Sequence, residues 1–210
     1  DGTDRRFRVE ESPIVEPGLA AQYPELRTYV AQGLDDPTAT ARLSLTPMGF
    51  HAMILAAEGT VFIDPYRRWH AELAIAYFKE QAVRREGDHF RCEVRSEGGA
   101  GDVPRDSVES DIVDLAPVPE TPSGATLRTY RLALAATGEY TAAVCSPNPA
   151  AVACGLAAIV VSMNRVDAIY EREVAVRMVL VANNNLVVYT NGGTDPYTNN
   201  SGSTMLGQNQ

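Results

Sequence analysis

The chain is short of basic residues, cysteine and histidine. Lysine and arginine number 18 against 27 aspartate and glutamate, a formal net charge of −9. With no basic surplus to neutralise a phosphate backbone, nucleic acid is not an expected partner. Three cysteines cannot build a disulfide scaffold, and an odd number leaves at least one thiol unpaired within the chain. No apolar run approaches the ~20 residues that span a bilayer. The three histidines, His51, His70 and His89, lie too far apart to chelate a metal from one helix face, so they read as solvated or strand-face side chains. The phosphate loop G-x-x-x-x-G-K-[ST], the dinucleotide fingerprint G-x-G-x-x-G and the nucleophile elbow G-x-S-x-G are all absent from the sequence.

What remains is ample apolar material, 45% of 210 residues, enough for one large domain or two small ones. The charge is concentrated. Residues 93–124 carry eight acids and two bases, and with them Gly98, Gly99, Gly101, Gly124, Pro104, Pro117, Pro119 and Pro122. Such a stretch buries too little apolar surface to offset its ordering entropy, so it reads as a linker between folded units, or else as a long surface loop. The chain begins at Asp1, without Met, and stops at Gln210 one turn into what reads as a new helix. Both ends read as cut, and the expectation is a piece of a longer protein.

Before the linker, residues 20–92 read as an antiparallel meander. Ala41, Leu43 and Leu45 alternate with Arg42, Ser44 and Thr46, the period of a half-buried strand. Phe50 to Leu55 and Thr60 to Ile63 follow as strands around the Glu58-Gly59 turn, with Asp64-Pro65 ending the second, and strand is preferred over helix for 70–79. After the linker, Tyr130, Leu132 and Leu134 share one strand face, and Gly138 ends that strand. Ser146-Pro147-Asn148-Pro149 offers cap and first-turn residues for a helix over 149–172. Val152, Leu156, Ile159, Val160, Met163, Val166 and Tyr170 form its apolar stripe, with Arg165, Asp167, Glu171 and Arg172 mostly on the other side. Val174 to Ala182 reads as a strand buried on both faces, parallel to the first, and Leu186 to Tyr189 as a further strand. The fold class is α+β.

The run Asn164-Arg165-Val166-Asp167-Ala168-Ile169-Tyr170, then Val176-Arg177-Met178-Val179-Leu180-Val181, then Tyr189-Thr190-Asn191 resembles the N-terminal part of reprolysin-like (adamalysin-type, metzincin) zinc metallopeptidases, especially secreted bacterial members. The stretches Gly49-Phe50-His51-Ala52-Met53 and Ala76-Tyr77-Phe78-Lys79 resemble the propeptide of that family. The resemblance implies three parts: a propeptide-like β unit over 1–92, the acidic linker over 93–124, and over 125–210 the strand-helix-strand beginning of a metzincin-like α/β catalytic domain. It implies a secreted zymogen whose parent cleaves protein or peptide substrates with zinc, and whose propeptide contacts the catalytic domain within one chain. The family's zinc motif, H-E-x-x-H-x-x-G-x-x-H, is absent from the sequence. No catalytic or zinc-binding residue therefore carries over, and the chain by itself is expected to be inactive. The alternative is a stand-alone propeptide-like inhibitor or binding protein.

Against that background Cys92, in Phe90-Arg91-Cys92-Glu93-Val94, is a candidate latency ligand to the parent's zinc, since a thiolate can displace the nucleophilic water; the alternative is a small apolar strand cysteine. Cys145 and Cys154 are a candidate disulfide in a secreted protein, or two free thiols. Glu139 is a candidate calcium ligand, whereas Asp195 to Asn200 lacks the spacing and closing glutamate of a calcium loop. Replacing Cys92 by Ser in the complete precursor is expected to speed activation, measured as the lag before peptidase activity; an unchanged lag would remove Cys92 from latency.

Overall fold

The computed structural model describes residues 4–82, 126–199 and 201–209. Six strands, β1 (Phe7–Glu11), β2 (Arg27–Gly33), β3 (Thr40–Thr46), β4 (Gly49–Ala56), β5 (Gly59–Arg67) and β6 (His70–Phe78), pair antiparallel in sequence order as one sheet. A short helix, α1 (Pro17–Gln22), lies between β1 and β2. The meander expected from the alternating pattern is therefore present, and it begins earlier, at Phe7. Gly49, at φ +118°, turns β3 into β4 where a Cβ would sit 2.6 Å from the Pro65 ring. Asp64-Pro65 does not end its strand as expected. β5 passes through both residues, with a register shift between Pro65 and Arg67 opposite β6.

The second part starts with β7 (Arg128–Leu132), followed by α2 (Gly138–Cys145), α3 (Val152–Val174), β8 (Val176–Leu180) and α4 (Gly202–Gln208). β7 and β8 pair parallel, with Arg128 opposite Val176 and Leu132 opposite Leu180. Three local expectations are corrected. Gly138 does not simply end a strand: it opens α2, whose first turn is capped by the Thr137 hydroxyl accepting from the Tyr140 N–H. The long helix starts at Val152, not at 149, because Asn148 N–H closes back onto the Cys145 carbonyl and Ala151 stands at the cap without a side-chain bond. Leu186 to Tyr189 is not a full strand: only Val188 pairs, as an isolated parallel bridge with Ala136. Asn184–Val187 forms a 3₁₀ turn, and the buried Asn184 side chain bonds both the N–H and the carbonyl of Leu134 in place of a neighbouring strand. β8 is also less enclosed than expected, with only Leu180 fully buried.

The main core is built from both parts. Ile14, Val15, Leu19, Leu26 and Met48 pack with Leu156, Ile159, Val160, Met163 and Leu180. α3 lies on one face of the sheet, over β3 and β4. The strand register puts Arg42 opposite Met53 and Ser44 opposite His51, all on that face. The alternation in β3 was thus legible, but its sense is the reverse of the usual one. Arg42 and Ser44 are each 2% exposed, while Leu45 is 48% exposed. The apolar set Leu43, Phe50, Ile54 and Ile63 lines a groove of about 750 Å³ on the opposite face. The boundary proposed at 93–124 lies outside the described residues.

Leu156 is fully buried at the shared centre. Leu156→Ala is expected to cost ~2–5 kcal/mol, read as a lower urea midpoint. A single transition followed by both sheet and helix signals would show that the two parts unfold together.

Candidate functional site

The face of the sheet beneath α3 is polar, and α3 supplies its partners. Asn164, 1% exposed, donates from Nδ2 to the Leu43 carbonyl at 2.8 Å and to Ser44 Oγ at 2.9 Å. One residue on, Arg165 donates to Asp64 Oδ1 at 2.5 Å and lies 4.9 Å above the Phe62 ring. Asp64 is also reached from its own sheet, by His51 Nδ1 at 2.7 Å and by the Tyr77 hydroxyl at 2.7 Å. Its carboxylate therefore joins three strands to the helix. Burial alone would raise its pKa. The hydrogen bonds from His51 and Tyr77 and the charge of Arg165 outweigh burial and hold it well below the ordinary carboxylate range.

Two turns along α3, Glu171 bonds both Arg42 of β3 and Arg177 of β8. Arg42 reaches Ser12 Oγ as well, at 3.0 Å. Asp167 lies between these groups, fully buried. Its Oδ1 accepts the Met178 N–H at 2.9 Å and its Oδ2 has no partner. Burial, with the nearby Glu171 charge, raises its pKa to about 6 against the hydrogen bond from Met178 and the charges of Arg42 and Arg177. Arg165, Asp167 and Glu171 were expected on the outer side of the helix. The correction has a simple cause: Arg165 meets Asp64 of β5, Glu171 meets Arg42 of β3 and Arg177 of β8, and Asp167 accepts from Met178 of β8, so the polar side of the helix is covered as well as its apolar stripe.

A second joint forms at the tip of the β5–β6 hairpin. Arg68 donates to the Ala143 carbonyl of α2 at 3.0 Å, and Trp69, at φ 66°, packs its ring against the shared core. Sequence reading missed Asp64, read with Pro65 as the end of a strand, and Trp69. The only available signal was a lone tryptophan in a hairpin turn, where a large apolar side chain needs somewhere to go.

Of the residues singled out from sequence, His51 is in this cluster. His70 opens β6, and His89 and Cys92 lie outside the described residues. Cys145 and Cys154 are joined as a disulfide with Cα atoms 5.8 Å apart, tying the end of α2 to the first turn of α3. Glu139 lies in the first turn of α2 against Gly192, where a Cβ would meet its carboxylate. Nearby Asp195 accepts from Gly138 N–H at 2.7 Å and from Tyr197 N–H at 2.9 Å, and these bonds keep its pKa below the usual value. Among the described residues no three His, Cys, Asp or Glu side chains converge as a metal donor set. The described residues therefore do not fit the zinc that the family resemblance implies, nor do they build a calcium site around Glu139.

The family model for reprolysin-like metallo-peptidases of family M12B matches residues 126–210. No curated protein and no solved structure gives a match. The stretch from β7 to α4 is a reprolysin-like metallopeptidase region, and the polar face of the sheet is seated on its long helix.

Two carboxylates at this joint titrate in opposite senses. For Asp167 the folded-state pKa lies above the ordinary 3.8, so the folded protein gains stability from this group as pH falls from about 6 towards 4. For Asp64 the folded-state pKa is depressed, so its contribution is present above about pH 4 and is lost as pH falls further. Asp167→Asn is expected to flatten the first rise, worth up to about 3 kcal/mol, and Asp64→Asn the acid-side loss. Urea midpoints from pH 3 to pH 8 would read both (roughly the span in which carboxylates and their shifted forms titrate), and an unaltered profile in Asp167→Asn would reject the assignment.

Proposed function

We propose that the chain is the amino-terminal part of a secreted zinc metalloendopeptidase precursor, with the six-stranded sheet as its prodomain and residues 126–210 as the start of the peptidase domain. One observation carries this reading. The buried Arg42 and Ser44 of the sheet, and the half-buried Asp64, find their partners on α3 of the family-matched region. Removing the helix would take their partners from Arg42, Ser44 and Asp64, and removing the sheet would uncover Asn164 and the apolar side of α3. Each part is the other's template, the arrangement a precursor needs when one part is later discarded.

Peptide-bond hydrolysis belongs to the full-length parent, whose zinc donors this chain does not supply. The parent's substrates are proteins or peptides. The acidic stretch at 93–124 is the proposed processing region, because a Gly- and Pro-rich charged sequence is a favoured site of nicking. Cys92, immediately before it, is the proposed latency ligand.

The experiment is expression of the parent precursor with and without Asp64→Ala. The unaltered precursor is expected to be cut within 93–124 and then to hydrolyse a protein substrate in a zinc-dependent way. Asp64→Ala leaves Arg165 and His51 without their shared acceptor, a cost of at least about 2 kcal/mol, and should lower the yield of folded, processed enzyme several-fold. A parent reading frame without H-E-x-x-H, or a processed protein holding no zinc, would overturn the proposal.

A further inference from the structure

Residues 14–16 run beside β8 and pair with it through a parallel bridge. Leu180 N–H donates to the Ile14 carbonyl at 2.8 Å, Glu16 N–H donates to the Leu180 carbonyl at 2.9 Å, and Val15 forms a parallel bridge with Leu180. On the other side of β8, Val181 N–H donates to the Leu132 carbonyl, continuing the pairing with β7. The segment thus occupies an outer edge whose backbone groups would otherwise be unpaired.

Its side chains are selected as well. Ile14 and Leu19 are fully buried and Val15 is 6% exposed. Glu16 accepts the Ala182 N–H at 2.8 Å and the guanidinium of Arg131, which holds its carboxyl below the usual range. Pro17 then turns the chain into α1, and Gly18 passes so close to β8 that a Cβ there would lie 2.9 Å from the Ala182 Cβ. Backbone pairing on the edge, an apolar socket, one cation and a steric limit are the parts of a strand-addition peptide site.

We propose that the outer edge of β8, with Arg131, is an acceptor for extended peptide segments of the pattern apolar-apolar-acidic-Pro-Gly, filled in cis by Ile14–Gly18 and able to take an equivalent segment in trans. That processing frees this edge rests on the proposed function; the binding itself does not, and needs no zinc.

The test uses a fluorescent peptide of residues 11–23 and the chain carrying Gly18→Val or Ile14→Asp, each of which weakens the cis segment and leaves the acceptor intact. Both variants are expected to bind the peptide saturably by anisotropy. The unaltered chain should bind at least about tenfold more weakly, because its own segment competes at a high effective concentration. Adding Arg131→Glu to Gly18→Val should weaken binding about tenfold, and peptide carrying Glu16→Lys should recover it. A zinc chelator should change nothing, so failure of the peptidase reading would leave these results standing. No saturable binding to either folded variant, or binding indifferent both to Arg131→Glu and to Ile14→Asp in the peptide, overturns the proposal. Should both variants unfold, excess isotope-labelled peptide with the unaltered chain must show NMR contacts to Leu180, and their absence at millimolar peptide overturns it equally.

Discussion

The Asp64 carboxylate is shared by His51 and Tyr77 of the sheet and Arg165 of the helix, and the placement of everything else around α3 depends on a face arranged in this way. A sheet face bearing Arg42, Ser44, His51 and Asp64 cannot be left against an apolar surface. Each group needs a partner at a fixed place. α3 presents Asn164 and Arg165 side by side, and Glu171 nearly two turns further on, to meet them. The helix can therefore sit on the sheet in one register, since a slide by one turn would pair none of them.

Such a joint contributes more to uniqueness than to stability. Ion pairs taken out of water roughly offset their own desolvation, so the favourable free energy comes from the apolar cluster around Leu156, Ile159 and Leu180. The polar contacts select one arrangement from the many that an apolar helix on a sheet would permit. Asp167 shows the cost of that selection: a carboxylate with one oxygen unpartnered, held near two arginines, and raised in pKa by its burial. The Ile14–Glu16 segment and the Trp69 hairpin add two further joints on other sides of the same region, so the sheet is attached through three separate contacts.

Strands β3 to β6 of the meander, the long helix and the parallel strand after it were legible, because each has a pattern several residues long. The family resemblance was legible too, in runs that fall on α3 and β8. The helix Gly138–Cys145 was missed although its signal, Thr137 before Gly-Glu, stood in the sequence; the glycine was read as an end when it was a beginning. β1 and α1 were missed for a different reason. Phe7–Glu11 is exposed at four of its five positions and carries no clear alternation, so only its pairing with β2 makes it a strand. Leu186 to Tyr189 looked like a strand by composition, but the Asn184 side chain takes the backbone groups of Leu134, the chain coils into a 3₁₀ turn over Asn184–Val187, and pairing is left to a single bridge between Ala136 and Val188.

The sequence by itself determined the local elements, the acidic segment, the missing zinc motif and the kinship of residues 126–210, since these depend on neighbours in the chain. It could not decide which face of β3 is inside. Ala41, Leu43 and Leu45 against Arg42, Ser44 and Thr46 admits two orientations, and hydrophobicity alone chooses the one in which the leucines lie beneath the helix. The tertiary structure chose the other, because partners more than a hundred residues away, Asn164 and Glu171, meet Ser44 and Arg42 on the polar side. Burial of a charged face is a property of a pair of surfaces, and half of that pair cannot be read from one strand.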